Sequence, residues 1–143
     1  MTINTKGLAT AHAALLVVLF VITLFGSGIG HAAASSGLTR TNTGGGVTVK
    51  VTYLNPQETA DARFDIALDT HSVNLDAYDL KALSLLRDEV GKDYQPTHVE
   101  NKGSGHHRQI TLVFPKPSAE AKKLELVIKD MTGVKERIFR WDF

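Results

Sequence analysis

Val47-Thr48-Val49-Lys50-Val51-Thr52-Tyr53 carries an apolar side chain at every second position and a polar one between. Two is the period of a β-strand, so the segment predicts a half-buried strand with Val47, Val49, Val51 and Tyr53 turned inward. Asn55-Pro56 closes it, because proline has no N–H to give to a ladder. Phe64, Ile66 and Leu68 repeat the pattern, and Val73 and Leu75 resume it out of phase, which predicts a bulge or bend near Asp69-Thr70. Ile110, Leu112 and Phe114 form a further strand ending at Pro115. Leu124, Leu126 and Ile128 form the next, which Met131-Thr132-Gly133 turns into Val134 to Trp141. Between these, Leu80, Leu83, Leu86 and Val90 sit near helical spacing, with Asp79 as a cap and Gly91 as a stop. Two strands, Leu80 to Arg87 and Asp93 to Val99, joined by a turn at Asp88 to Lys92, are the preferred reading because every neighbour is β. About seven or eight short strands predict an all-β fold, a single antiparallel β-sandwich of immunoglobulin-like type over residues 47–143.

Upstream of the strands the sequence changes character. No Asp, Glu, Lys or Arg occurs from Gly7 to Thr39, and Ala13 to Phe25 is apolar except for Thr23, with Lys6 as the only charge before it. A basic start, a short apolar run and a small-residue tail form the pattern of a secretory signal. Ala32 and Ala34 suit cleavage after Ala34, so residues 1–34 read as a signal peptide. The rival reading keeps a hydrophobic helix over residues 8–29 as an uncleaved membrane anchor, with Lys6 cytoplasmic. Either way the domain is expected outside the cytosol, in a periplasmic or extracellular place. Residues 35–46, rich in Gly, Ser and Thr, read as a flexible linker.

Composition removes several functions. Sixteen Lys and Arg stand against fifteen Asp and Glu, which leaves no strong field for nucleic acid. The absence of cysteine excludes disulfide scaffolds, thiolate metal sites and thiol nucleophiles. No phosphate-binding or dinucleotide glycine motif is present, and neither Ser72 nor Ser104 lies in a nucleophile turn, so no enzyme is predicted.

Ligand-capable residues gather in two loops. Asp69-Thr70-His71 is followed by Asp76 and Asp79, and Gly103-Ser104-Gly105-His106-His107-Arg108 runs straight into a strand. Imidazole nitrogen and carboxylate oxygen are ligands that Cu(II) and Zn(II) accept, so Asp69, His71, His106 and His107 form a candidate metal set. Adjacent histidines on a strand point to opposite faces, so one of the pair is expected at a given site. Asp76, Asp79 and Arg108 are the candidate partner contacts. The plain alternative is that these residues cap turns and face water. At the carboxyl end, Phe139 and Trp141 are expected to pack in the core, and an exposed stripe with Phe143 would instead dock a partner.

The export segment, the V-x-V-x-V strand, the run from Phe64 to Asp79, the Gly103 to Arg108 loop before a strand ending Phe114-Pro115, and the final Arg137-Ile138-Phe139-Arg140-Trp141 resemble a group of small exported bacterial proteins of largely unknown function. That resemblance implies an immunoglobulin-like fold and names no activity. Ser104-Gly105-His106 before a strand ending in Phe114 is also similar to the S-x-D-G-H turn of periplasmic copper carriers, with Asp69-Thr70-His71 offering an Asp and a His. Such carriers also use an amino-terminal His, which would require cleavage between Gly30 and His31. The leading expectation is therefore an exported, non-catalytic binding module whose partner is an envelope protein. A Cu(II) or Zn(II) carrier and an assembly domain docking through its last strand are the alternatives.

Overall fold

Nine strands build two antiparallel sheets in the computed structural model, which describes residues 36–58 and 60–143. The expected signal peptide or anchor, residues 1–34, lies outside the described residues. One sheet has the order β1 (Thr39–Gly44), β2 (Val47–Tyr53), β3 (Ala62–Thr70), β7 (His107–Phe114), β6 (His98–Lys102). The other has the order β5 (Asp93–Tyr94), β4 (Ser84–Asp88), β8 (Lys123–Met131), β9 (Val134–Asp142). The alternating residues of β2 and β3 are buried on one face, and they meet Leu86, Leu124, Leu126, Ile128, Phe139 and Trp141 of the second sheet in one apolar core. This is an all-β, two-sheet arrangement of the sandwich kind, held by apolar burial between the sheets. Trp141 sits at its centre, 5.2 Å from the ring of Phe64 and 6.0 Å from that of Tyr53, and its indole N–H donates to Leu38 O at 2.8 Å.

The first correction concerns the expected linker. Thr39–Gly44 is a strand that pairs with β2 along its whole length, from Thr39 opposite Thr52 to Gly44 opposite Val47. Gly45 and Gly46 both have positive φ, the geometry a two-residue hairpin turn requires, so the glycines that read as a tether make a turn instead. Alternating β-branched Thr39, Thr41 and Thr43 then favour the strand.

The expected strand Leu80 to Arg87 is divided. Asp79 accepts hydrogen bonds from the backbone N–H groups of Lys81 and Ala82, at 3.0 and 3.4 Å, and starts a single helical turn, α1 (Leu80–Leu83), before β4 begins. The expected strand Asp93 to Val99 is also two pieces in different sheets. Pro96 lies at the crossing, where a missing N–H makes a ladder hard to continue. Val73 and Leu75 form no strand. The chain leaves β3 at Thr70 and makes a 3-10 turn at Leu75–Ala77.

One buried charge joins the sheets. Arg137 lies on the inner face of β9 with no solvent exposure, and its guanidinium donates to Asn42 Oδ1 (2.7 Å), Gly44 O (2.7 Å) and Thr132 Oγ1 (3.0 Å). Burial pulls its pKa below the ordinary guanidinium value, yet an arginine keeps its proton at neutral pH.

Candidate functional site

The loop between β3 and α1 is shaped by its own polar residues. Thr70 is buried, donates to Gly46 O at 2.7 Å and accepts from the N–H of Ser72 at 3.3 Å, which turns the chain out of β3. Asn74 then accepts from the N–H of Asp76 at 3.1 Å and opens the 3-10 turn that buries Leu75.

A second loop, residues 103–106, is stitched to the first. Thr70 N–H donates to His106 O at 3.1 Å, and Leu75 N–H donates to Gly105 O at 3.2 Å. In return the N–H of Gly105 donates to both carboxylate oxygens of Asp76, at 3.1 Å each. Gly103 and Gly105 have positive φ, a backbone state that glycine adopts without the penalty a Cβ brings. Beneath both loops Arg108 is 8% exposed, donating to Leu75 O and to Tyr78 O, the latter at 3.0 Å. Its Nε lies 3.9 Å from Asp76 Oδ1, too far for a hydrogen bond.

This placement sorts the expected site residues. Asp69 and His107 face each other across β3 and β7 and form an ion pair, Nδ1 to Oδ1, at 2.8 Å. His106 precedes the strand, so the alternation expected of neighbouring histidines does not apply; the two rings lie 6.0 Å apart, nearly perpendicular. His71 is exposed and makes no hydrogen bond or ion pair among the described residues. Arg108, expected at the surface, is instead the buried brace, because its long side chain satisfies carbonyls that the folded loop would otherwise leave unpaired. Asp79 caps α1, and Asp76 fastens the loops. Among the described residues no three His, Asp or Glu converge as metal ligands, so the expected set of Asp69, His71, His106 and His107 is not assembled.

Lys102 and Gln109, absent from the sequence reading, join Asp69 and His107 around an open groove of about 510 Å³. Gln109 lies two residues beyond His107, hence on the same face, a signal visible in the sequence once β7 is known. The register of β6 brings in Lys102, opposite Gln109. Compared with protein-family models, curated proteins and solved structures, the chain gives no match.

Proposed function

We infer that this chain is an exported, non-catalytic binding module of the cell envelope, with an immunoglobulin-like fold, that meets its ligand through the loop end carrying Asp69, His71, Asp76, His106 and His107. The observation that supports it best is the braced loop pair. Five backbone-directed bonds and buried Arg108 hold residues 70–78 against 103–106, so His71, His106 and His107 stand exposed on a fixed platform. Loops positioned by a rigid scaffold are where binding surfaces are built, since little ordering entropy is then lost on contact.

The immunoglobulin-like reading rests on strand order. β2-β3-β7-β6 and β5-β4-β8-β9 follow the A-B-E-D and C′-C-F-G orders of that architecture, with β1 added beside the first strand. In those terms residues 71–79, 103–106 and 132–133 are the B–C, D–E and F–G loops of one end. The apolar run Ala13 to Phe25 after Lys6 supports export.

A Cu(II) or Zn(II) carrier has one observation in its favour: Asp69 holds Nδ1 of His107, leaving Nε2 free beside the His106 ring. Two imidazoles fall short of the three or four protein ligands usual for such ions. Docking through the last strand is disfavoured by the burial of Phe139 and Trp141, and by Arg40, which donates to Arg140 O at 2.8 Å and covers β9 with β1.

The test is site-specific photo-crosslinking in cells that export the protein. A photoreactive residue at His71 or His106 should give one discrete adduct, and the same residue at exposed Glu136 should not. Equal adducts from all three positions, or none, would overturn the reading. Titration with Cu(II) and Zn(II) separates the alternative: about micromolar binding of one ion, abolished by His106→Ala/His107→Ala, would mark a metal carrier.

A further inference from the structure

The opposite end of the sandwich holds a second cavity. Between the β2–β3 connection, residues 54–61, and the β7–β8 connection, residues 115–122, lies a space of about 290 Å³ lined by Tyr53, Phe143, Pro56, Pro117, Lys116 and Glu58, among others. Tyr53 is its buried wall. The ring stacks on Phe64 at 4.4 Å and is 5% exposed, so the core sets its position. Phe143 follows β9, its N–H donating to Lys122 O at 2.9 Å, and its ring stands edge-on to Tyr53 at 5.9 Å while remaining 56% exposed. Aromatic contact therefore runs from Trp141 through Tyr53 to a ring that meets solvent.

The polar groups here are unspent. A buried tyrosine hydroxyl normally has a partner, yet that of Tyr53 makes no hydrogen bond among the described residues. It is not one of the polar atoms sealed inside the core, and Tyr53 lines the cavity, which places its free donor and acceptor positions there. Burial raises the pKa of this phenol, so it keeps its proton at neutral pH. Lys116 has no ion-pair partner among the described residues. Glu58 uses Oε2 to accept from the Asn55 amide at 3.2 Å and leaves Oε1 free.

These groups define a chemistry. One cation and one anion at the rim cancel, so an organic anion meets Glu58 and an organic cation meets Lys116, each with a repulsive contact. A neutral polyol satisfies both, giving its O–H to the carboxylate and accepting from the ammonium and the phenol. An exposed aromatic face carries negative charge density and attracts the C–H groups on the flat side of a saccharide ring. The volume lies at the lower bound for small-ligand sites and suits a single ring. Pro56 and Pro117 stiffen the two connections, which lowers the ordering cost of binding. We propose that this cavity is a subsite for one ring of a neutral saccharide, stacked on Phe143 and hydrogen-bonded by Tyr53, Glu58 and Lys116. The assignment stands apart from the loop-end reading, with which it shares no residue.

The test uses the full chain, isotope-labelled, in detergent without sugar headgroups. Glucose, galactose, mannose, N-acetylglucosamine and their β-linked dimers are titrated, with benzoate and benzylamine as charged ring compounds. At least one neutral sugar should give saturable shifts at Lys116, Ser118 and Phe143, with about millimolar affinity. Phe143→Ala, Lys116→Ala and Tyr53→Phe should each weaken it about five- to tenfold. The first two remove exposed side chains and the third only a hydroxyl, so an unchanged spectrum elsewhere reports an intact fold. No saturable shift by about 50 mM sugar, tighter binding of benzoate or benzylamine than of any sugar, or variants that bind as the parent does would each overturn the proposal.

Discussion

Arg137 shows how one side chain can hold two sheets together. It carries a charge into the interior, where an ion alone would cost several kcal/mol, and it is tolerated because three oxygens from β1 and the β8–β9 turn surround it. Arg137→Ala strands those acceptors and opens a cavity, so chemical denaturation should show a loss of about 3 to 5 kcal/mol. A loss below about 1 kcal/mol would mean the buried bonds are worth little beyond their desolvation cost. The Arg87–Asp93 pair is a different case, half-exposed, with Nε to Oδ1 at 2.7 Å. Hydrogen bonding to Arg87 holds the Asp93 carboxyl below the usual carboxylate range. The unfolded chain therefore takes up this proton first as pH falls. The stabilisation is complete above the ordinary carboxylate pKa of about 3.9 and disappears as pH drops through the lowered folded value. Asp93→Asn should accordingly lower Tm at pH 7 by an amount that shrinks towards zero below about pH 3. A Tm difference independent of pH would remove the ion pair as its cause.

At the scale of elements, the β1–β2 and β8–β9 turns pack backbone against backbone. A Cβ on Gly45 would lie 2.1 Å from Thr132 O and 2.6 Å from Thr132 Oγ1. Gly45→Ala should therefore destabilise by about 2 to 4 kcal/mol, well beyond the roughly 1 kcal/mol of a positive-φ alanine in open space. Gly91→Ala is the matched comparison, since Gly91 also has positive φ and nothing within 4 Å of its added carbon. Equal losses at the two positions would show that the turns yield without cost. β1 itself is testable by length. A protein beginning at Val47 loses the Leu38 carbonyl that accepts from Trp141 and two of the oxygens around Arg137. Its denaturation midpoint should fall clearly below that of a protein beginning at Ser35, whereas a free tether would leave the midpoint unchanged.

For the whole molecule, the two ends differ in how their polar groups are employed. At the loop end, Asp76 and Arg108 serve the fold while the histidines face outward. Combined His71→Ala, His106→Ala and His107→Ala should change stability by no more than about 1 kcal/mol, since the one ion pair lost is exposed, while abolishing the crosslinked adduct. Asp76→Ala, by contrast, frees the Gly105 N–H and should loosen both loops, seen as faster amide exchange at Leu75 and Gly105. Protection unchanged at those amides would show that the carboxylate is not the fastener.

Sequence by itself determined the all-β class, the inward residues of β2, β3, β7, β8 and β9, and the turn at Met131 to Gly133, because strand alternation depends only on which side chains avoid water. It also brought the two polar loops into view, through residue types such as Asp, Asn and Gly whose turn chemistry is local. Tertiary structure decided the rest. Gly44-Gly45-Gly46 reads equally as tether or turn, and the presence of β2 beside it selects the turn. Nothing local distinguishes Arg108 or Arg137 from a surface arginine; only the packing of distant carbonyls around each makes burial favourable. The pairing of Asp69 with His107 and the meeting of Tyr53 with Phe143 depend on strand register across long sequence separations, which a one-dimensional pattern does not contain.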